Sequence, residues 1–187
     1  MTVVIARFGR MSVIRVGSLT KSISVGQMKA RKRRKIMKIR KWRRKDLPDV
    51  YRIMGYIPMM DMPDYPEFKA SVIRGIFPKL LVAEKDKKPV GIAIYNNHYS
   101  IHGTGYIFLT CLSVETGYRR QGIATELINE LKKAAMRIKA DGIGFWVHKD
   151  NEGAKRFYHN LGAKVNLPDE DFIDCTIPVY KGDYYNP

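Results

Sequence analysis

The sequence predicts a single mixed α/β domain, and two patterns carry that prediction. Short runs rich in Val, Ile, Leu and aromatic residues recur between Leu80 and His148, which is typical of strands. A longer segment that begins at Ile123 repeats apolar residues at helical spacing, which is typical of an amphipathic helix. The chain has 187 residues, 45% hydrophobic and 28% charged, which fits one soluble globular domain. No run of 18 apolar residues exists, so we expect no membrane-spanning helix.

The positive charge of the chain is concentrated at its N-terminal end. There are 34 basic and 18 acidic residues in total, but residues 1–45 hold 16 of the basic residues and none of the acidic ones. The rest of the chain therefore has 18 residues of each sign and no net charge. A nucleic-acid-binding domain carries its positive charge on the folded part, so this function is not expected except through the leader. We interpret residues 1–35 as a basic, disordered leader and residues 36–187 as the folded domain.

Three interpretations of the leader stay open: an organellar transit peptide, a nuclear or nucleic-acid-binding patch, and an unstructured or misassigned segment. Its acid-free composition with Arg and Ser is typical of a transit peptide, whereas its longest apolar run, Val3–Ala6, is too short for a secretory signal. Two cysteines, Cys111 and Cys175, are too few for a disulfide scaffold. We expect an intracellular protein, cytoplasmic in the first place, with organellar import left open.

The folded part begins with a predicted strand and two predicted short helices. The strand is Ile36–Trp42. Asp46 is a candidate helix cap with Pro48 in the first turn, and Val50, Ile53 and Met54 follow at helical spacing. The second helix is predicted over Glu67–Phe77. Its apolar face consists of Phe68, Val72, Ile73 and Ile76.

Four strand-like runs follow: Leu80–Glu84, Val90–Tyr95, Tyr106–Val114 and Gly142–His148. The polar residues Asp86–Pro89 predict a hairpin turn between the first two runs. A longer polar turn near His102–Gly105 precedes the third run. Acidic residues near the C-terminus are predicted to lie in a solvated loop, and they are Asp169, Glu170, Asp171 and Asp174.

The segment from Val114 to Ala124 carries the most informative chemistry. A strand ends at Val114, a basic loop containing glycine follows, and a helix begins at about Gly122. The apolar face of this helix is Ile123, Leu127, Ile128, Leu131, Ala134, Ala135 and Ile138. The first backbone N–H groups of a helix lack partners within it and attract anions, and Gly122 has no Cβ to keep an anion away. With Arg119 and Arg120 nearby, the loop is suited to a pyrophosphate.

On this loop alone, a helix start with surface arginines explains the pattern equally well. The sequence GxxxxGK[ST] of a P-loop is absent, and so is the dinucleotide pattern GxGxxG. The next segment adds a second motif after the strand Gly142–His148. It reads NxxAxxFYxxLGA over residues 151–163.

Together with RRQGIA at 119–124, this second motif resembles the acetyl-CoA-dependent GNAT N-acetyltransferases. Arg119, Gly122 and Ala124 match the defining positions of the Q/R-x-x-G-x-G/A loop, which binds the CoA pyrophosphate in that family. The resemblance covers about residues 36–187. It implies the GNAT acyltransferase fold, in which helices flank a central, mixed and splayed sheet.

The resemblance also implies the site. The strand ending at Val114 would pair with the pantetheine arm of acetyl-CoA, and Asn151 would orient that arm. The implied cofactor-binding residues are Leu112, Val114, Arg119, Arg120, Gln121, Gly122, Ile123, Ala124, Thr125 and Asn151. Tyr158 would be the general acid that protonates the leaving thiolate, and backbone N–H near Leu112 would polarise the thioester carbonyl. The alternative for Tyr158 is a core aromatic beside Phe157.

The general base is less visible in the sequence. Glu115 is a tentative base, with an exposed loop charge as the alternative. His148 at the end of a strand is a weaker one, because a surface histidine explains it as well. The histidines His98, His102 and His159 lack metal-ligand spacing, so no metal is expected. Cys111 is interpreted as a small buried residue because no basic partner is evident.

The predicted function is transfer of an acetyl group from acetyl-CoA to a primary amine by direct attack on the thioester. The acceptor stays open between a small molecule, a lysine and a protein N-terminus, and a homodimer is also left open. A weaker resemblance connects Gly91–Val114 to the polyamine and thialysine acetyltransferases, but Thr110 and Cys111 occupy the two positions that are acidic there. The alternatives are a non-catalytic CoA-binding module and a nucleic-acid-associated protein that acts through its leader.

Overall fold

One seven-stranded sheet organises the chain in the computed structural model. The residues described are 37–57, 62–75, 78–99, 105–168 and 171–179. The strands are β1 (Met37–Lys41), β2 (Lys79–Lys85), β3 (Lys88–Tyr99), β4 (Gly105–Val114), β5 (Ala140–His148), β6 (Lys164–Pro168) and β7 (Phe172–Pro178). The helices are α1 (Leu47–Met54), α2 (Tyr65–Ile73), α3 (Ile123–Arg137) and α4 (Glu152–Asn160). The predicted leader, residues 1–35, lies outside the described residues.

The order of the strands across the sheet is β1-β2-β3-β4-β5-β7-β6. All neighbouring strands are antiparallel except β4 and β5, which are parallel and are connected through α3. The sheet is therefore mixed, and the prediction of a mixed α/β fold is confirmed. A two-residue turn closes the β2–β3 hairpin at Asp86 and Lys87, whose φ angles of 53° and 66° suit such a turn.

Apolar side chains form two cores on the sheet. Alternate residues of a strand point to opposite faces, so β2, β3 and β4 contribute to both cores, whereas β5 and β7 contribute only to the core that contains α3. One core packs α3 and α4 against the sheet and includes Leu127, Ile128, Leu131, Ile143 and Phe145. The other packs α1 and α2 against it and includes Leu47, Ile53, Phe68, Ile92 and Ile94. The predicted apolar face of α3 is confirmed, with five of its residues buried.

Asp46 anchors the start of α1, but it does not cap the helix as the sequence predicts. No hydrogen bond connects its side chain to the first turn of α1. The carboxylate instead accepts from Arg40 Nη1 at 2.6 Å and from the backbone N–H of Arg43 at 2.7 Å. The Arg40 side chain is only 7% exposed, and it also bonds Glu84 Oε2 on β2. A buried guanidinium between two carboxylates thus ties β1, β2 and the start of α1 together.

Two other sequence predictions are wrong in part. The second helix runs from Tyr65 to Ile73 rather than from residue 67 to 77, and Ile73 is 45% exposed instead of facing the core. Ile76 lies outside the described residues, as do residues 102–104 of the predicted polar turn. The C-terminal acidic segment is not all loop, because β6 and β7 lie there and Asp174 is within β7.

In the described part of the chain, no helix is long and apolar enough to cross a membrane. The same residues contain no group of three or more His, Cys, Asp or Glu side chains placed to hold a metal ion.

Candidate active site

The central feature of the site is a gap between β4 and β5. The last registered pair of these two strands is Phe108 with Gly144. Beyond that pair, β4 continues beside β3 as far as Val114, and β5 continues beside β7 as far as His148. The two strands therefore separate. Backbone N–H and C=O groups on the side of β4 that faces the gap are available to bind an extended chain as an added strand.

A β-bulge lies in β4 where the gap opens. Tyr95 pairs with Leu109 and Ile94 pairs with Cys111, so Thr110 is an extra residue in β4. Before the bulge, Leu109 faces the core that contains α3, and after it, Cys111 faces the core that contains α1. Because of the extra residue, Leu109 and Cys111 point to opposite faces of the sheet although they are two positions apart. The bulge therefore changes the direction of the side chains and backbone groups of β4 at the start of the gap.

A cleft of about 320 Å³ occupies the gap. The facing segments of β4 and β5 form two of its walls, and α4 with the residue before it forms a third. Leu109, Thr110, Cys111 and Leu112 line it from β4, Phe145, Trp146, Val147 and His148 from β5, and Asn151, Ala154 and Tyr158 from the α4 region; Ile57, Phe108 and Phe172 complete the lining. Apolar and aromatic side chains predominate, so a ligand in this cleft is largely removed from water.

The structure places Tyr158 in the wall of this cleft. Its ring packs on Phe145 with 4.0 Å between ring centroids, and on Phe157 with 5.0 Å. Burial raises the pKa of the Tyr158 phenol above its usual range, and the thiols of Cys111 and Cys175 add to the increase. The phenol therefore keeps its proton at neutral pH and can donate it to a ligand atom. Burial likewise raises the pKa of the Cys111 thiol to about 12, which agrees with its interpretation as an inert buried residue.

Asn151 lies at the start of α4 and also lines the cleft. Its Oδ1 accepts the backbone N–H of Ala154 at 3.0 Å, so the side chain caps the helix. Capping fixes the direction of the amide, whose Nδ2 hydrogens remain for a ligand. The sequence analysis did not predict this capping role. The role is compatible with the predicted one, in which Asn151 orients an arm of acetyl-CoA.

The start of α3 has the backbone geometry that the predicted anion cradle requires. Gly122 is the N-cap residue and has a φ of 79°, a left-handed conformation that favours glycine. A Cβ at this position would meet no other atom within 4 Å, so the backbone conformation itself requires glycine. The side chain of Ile123 is buried in the core, so this residue can contribute only its backbone N–H to the cradle. Ala124 and Thr125 follow in the first turn, where backbone N–H groups have no partner within the helix.

The side chains around the loop make contacts that the sequence does not reveal. Arg119 Nε donates to the backbone carbonyl of Val114 at 3.0 Å and holds the end of β4. Gln121 Oε1 accepts from Lys85 Nζ at 2.6 Å, and the same ammonium lies 5.6 Å from the centroid of the Tyr118 ring. Lys85 thus adds a third cation to the loop that contains Arg119 and Arg120.

Comparison with protein families decides the identity of this arrangement. The family model described as the acetyltransferase (GNAT) family matches residues 37–163. The chain belongs to the GNAT acetyltransferase family. It is accordingly an acyltransferase that acts on nitrogen, and the resemblance drawn from the two motifs is confirmed. The weaker resemblance to the polyamine branch stays a prediction. No curated protein matches the sequence.

Solved GNAT structures share the fold. Naa50 of Arabidopsis thaliana, in complex with the bisubstrate analogue CoA-Ac-MVNAL, has a TM-score of 0.61 at 18% identity and covers 75% of this chain and 97% of its own. The ribosomal-protein-S18-alanine N-acetyltransferase of Escherichia coli has a TM-score of 0.62 at 18% identity, with 81% and 99% covered. PaiA N-acetyltransferase of Thermoplasma acidophilum, in complex with coenzyme A, has a TM-score of 0.63 at 17% identity, with 76% and 99% covered. At these identities the likeness shows the fold.

The structure does not bring Glu115, the tentative base, to the cleft of this GNAT domain. Its carboxylate bonds Arg52 Nη1 at 3.0 Å and Lys88 Nζ at 3.3 Å, and it is absent from the described residues that line the cleft. These two ion pairs connect α1 and β3 to the end of β4. The geometry therefore favours a structural role for Glu115 over the catalytic one.

His148 does line the cleft, but its hydrogen bond restricts its chemistry. Its Nδ1 accepts the backbone N–H of Asp150 at 3.2 Å, and its ring packs edge-on against Phe172 with 5.4 Å between centroids. From that hydrogen bond we assign the proton of the neutral ring to Nε2, which is then a donor. In this state His148 does not offer a free basic nitrogen at Nε2.

Sequence reasoning missed several residues of the site. Trp146, Phe108 and Phe172 line the cleft without having been singled out. The position of Trp146 could have been predicted from the alternation of side chains along β5. Phe145 and Val147 face the core, so the residue between them must face the other side of the sheet. Phe172 offered no such signal, since its strand was not predicted.

Proposed function

We propose that the protein transfers the acetyl group of acetyl-CoA to a primary amine, and that its preferred acceptor is the α-amine of a peptide. The separation of β4 and β5 carries this proposal. It leaves an apolar cleft in the middle of the sheet whose β4 wall has free backbone donors and acceptors. A pantetheine arm is an extended chain with amide groups, so it suits an added strand at this place.

The residues around the cleft fit the rest of acetyl-CoA. Gly122 and the first turn of α3 provide backbone N–H groups for a pyrophosphate, and Arg120 and Lys85 supply positive charge beside them. One N–H of the Arg119 guanidinium donates to the Val114 carbonyl, and its other N–H groups can bind the ligand. At the other end, Asn151 and Tyr158 lie where the arm would bring its sulfur.

The chemistry follows from these positions. The nitrogen lone pair of a neutral amine attacks the thioester carbon and forms the C–N bond, and the nitrogen, positively charged after the attack, loses a proton to water. The C–S bond breaks, and the sulfur leaves as a thiolate that takes a proton. Tyr158 is the proposed donor to that sulfur, and its protonated phenol in the lining of the cleft supports this role. The backbone N–H groups of β4 that face the gap are placed to stabilise negative charge on the carbonyl oxygen.

The apolar lining favours an acceptor that is easily neutral. Burial in apolar surroundings disfavours an ammonium ion, so the amine must shed its proton at or before entry. An α-amine has a pKa of about 7.7–8.0, so about a third of it is neutral at pH 7.5, whereas a lysine side chain with a pKa of about 10.4 is about 0.1% neutral. Two of the structurally similar proteins were solved with, or are named for, peptide or protein acceptors, which supports the same choice.

A turnover assay tests this function. Release of CoA thiol from acetyl-CoA is followed at pH 7.5 with the peptide Ala-Ala-Ala-Ala, its N-acetylated form, Nα-acetyl-lysine amide and spermidine. We expect the free peptide to be acetylated at least about 10-fold faster than the ε-amine or the polyamine, and the blocked peptide not at all. The pH profile of kcat/KM should level off near pH 8.

Two outcomes would contradict the proposal. Faster turnover of spermidine or of the lysine side chain would show that the preferred acceptor is a strongly basic amine and not a peptide α-amine. Tight binding of acetyl-CoA without turnover of any acceptor would favour the non-catalytic CoA-binding module.

A further inference from the structure

An aromatic groove lies beside the cleft, along the open face of β4, β5 and β7. We call it the acceptor trough; Tyr106, Phe108, Gly144, Trp146, Asp174 and Thr176 are among the residues that line it. Its volume is about 630 Å³. Phe108 and Trp146 line both the cleft and the trough, so the two spaces are direct neighbours.

The walls of the trough are exposed aromatic rings. Trp146 is 65% exposed and Tyr106 is 45% exposed, although both lie in central strands of the sheet. The rings of Phe108 and Trp146 meet edge to face with centroids 5.2 Å apart, and His98 stacks on Tyr106 at 4.8 Å. Gly144 leaves the floor between them open, since a Cβ there would lie 3.8 Å or more from the nearest ring atom.

The register of β5 and β7 places a carboxylate beside the exposed indole. Trp146 is directly opposite Asp174, so their side chains are neighbours on the same face. Asp174 Oδ2 accepts from Asn166 Nδ2 at 3.3 Å, which orients the carboxylate. Asp141 and Lys164 are the other charged residues that line the trough, and its net charge is therefore −1. An aromatic face next to a carboxylate is a suitable site for an organic cation.

The trough has a defined distance from the reaction site. Along the open face, the pair His148–Phe172 at the cleft is followed by Trp146–Asp174 and then by Gly144–Thr176. Each step is two residues of a strand, or about 7 Å, which is also the length of two residues of an extended peptide. A side chain two or three residues from the reacting amine therefore reaches the indole and the carboxylate.

We infer that the acceptor trough binds the side chain of a Lys or Arg within the first three residues of the peptide acceptor. This inference rests on the proposed function, because it takes the reacting amine to lie in the cleft. With α3 and α4 packed on the opposite face of β4 and β5, the remainder of the acceptor leaves across the open face. Lys164, opposite Thr176 at the far end, disfavours a cation beyond the Trp146–Asp174 pair.

Peptide kinetics test the inference. We compare Ala-Lys-Ala-Ala and Ala-Ala-Lys-Ala with Ala-Ala-Ala-Ala and Ala-Glu-Ala-Ala. The better lysine peptide should have a KM about 3- to 10-fold lower than the alanine peptide, as an exposed cation–π contact and ion pair together permit. Asp174→Asn should reduce this preference and Asp174→Lys should reverse it in favour of the glutamate peptide. Glu130→Gln, the same loss of charge on the exposed face of α3, should leave the preference unchanged.

A binding measurement separates this inference from the proposed function. The chain has two tryptophans, so in a Trp42→Phe variant the fluorescence reports Trp146 alone. In the presence of CoA, lysine peptides should change this fluorescence at concentrations about 3- to 10-fold lower than alanine peptides do. If alanine and lysine peptides are acetylated and bound alike, the trough assignment is wrong and the proposed function stands. If lysine peptides bind preferentially but no peptide is acetylated, the trough stands and the proposed function fails.

Discussion

Removal of the Tyr158 hydroxyl should slow acetyl transfer without lowering the stability of the fold or the affinity for acetyl-CoA. The Tyr158→Phe change keeps the ring that packs on Phe145 and Phe157. Among the described residues no hydrogen bond to this hydroxyl is found, so its loss leaves no buried partner unsatisfied. Stability should therefore change by less than about 0.5 kcal/mol.

The size of the kinetic effect follows from the hydrogen bond that is lost. A hydrogen bond to a charged group contributes about 1.5–3 kcal/mol, and the leaving thiolate is such a group. If the bond exists only in the transition state, this energy corresponds to a fall in kcat of about 10- to 160-fold. A thiol with a pKa of about 8.5 is a tolerable leaving group without an acid, which keeps the effect at the low end of general acid catalysis.

The assay measures kcat by thiol release at saturating acetyl-CoA and acceptor, with single-turnover experiments to show that chemistry limits the rate. Calorimetry should give the same affinity for acetyl-CoA in both proteins. Tyr99→Phe removes a hydroxyl from an exposed ring and serves as the matched control. Because burial raises the pKa of Tyr158, wild-type kcat should show no fall up to about pH 10. A Tyr158→Phe protein with wild-type kcat would return Tyr158 to the role of a core aromatic.

Two further predictions concern the cradle and the buried ion network. Gly122→Val should lower acetyl-CoA affinity at least about 10-fold in calorimetry, because a side chain at the N-cap crowds the anion. The strain of a β-branched residue at a left-handed φ should also lower the melting temperature by a few degrees, while the protein still melts cooperatively; unchanged affinity would refute the pyrophosphate assignment. Arg40→Ala should lower the free energy of unfolding by about 3–5 kcal/mol at pH 7, because it leaves buried carboxylates unpaired, whereas Lys38→Ala, at an exposed residue of the same strand, should not. Although burial opposes it, the bonds from Arg40 and Arg43 lower the pKa of Asp46, so its contribution is present above about pH 4 and is lost at lower pH. The Arg40→Ala deficit in urea titrations should therefore shrink below about pH 4, and a deficit that stays constant would contradict this account.

Elements with a strong local pattern could be predicted from the sequence. Helix α3 begins one residue after Gly122, and β2 to β5 lie within a few residues of their predicted limits. Strands β6 and β7 were missed because one face of this part of the sheet is open, so β7 tolerates Asp174 where a buried strand would not. From the sequence alone, the acidic residues near the C-terminus predict a solvated loop.

The roles of charged side chains were harder to predict than the positions of the motifs. Gly122, Asn151 and Tyr158 could be proposed from the sequence because the family motifs fix their spacing along the chain. Glu115 follows a strand end, where the sequence suggested a catalytic base. Its partner Arg52 is 63 residues away in the sequence and reaches it only because α1 packs against the sheet. Local patterns cannot indicate such a partner.

The same physical reason explains why the two ligand sites differ in what the sequence reveals. A cofactor cradle is built from backbone at a loop and a helix start, so its signature is a short contiguous motif around Gly122. The acceptor trough is built from side chains that three strands bring to one face, and its key pair, Trp146 and Asp174, is joined only by strand register. A shift of one residue in that register would move Asp174 to the opposite face and remove the carboxylate from the indole. If both proposals hold, substrate preference depends on the pairing of β5 with β7, whereas cofactor use depends on the loop before α3.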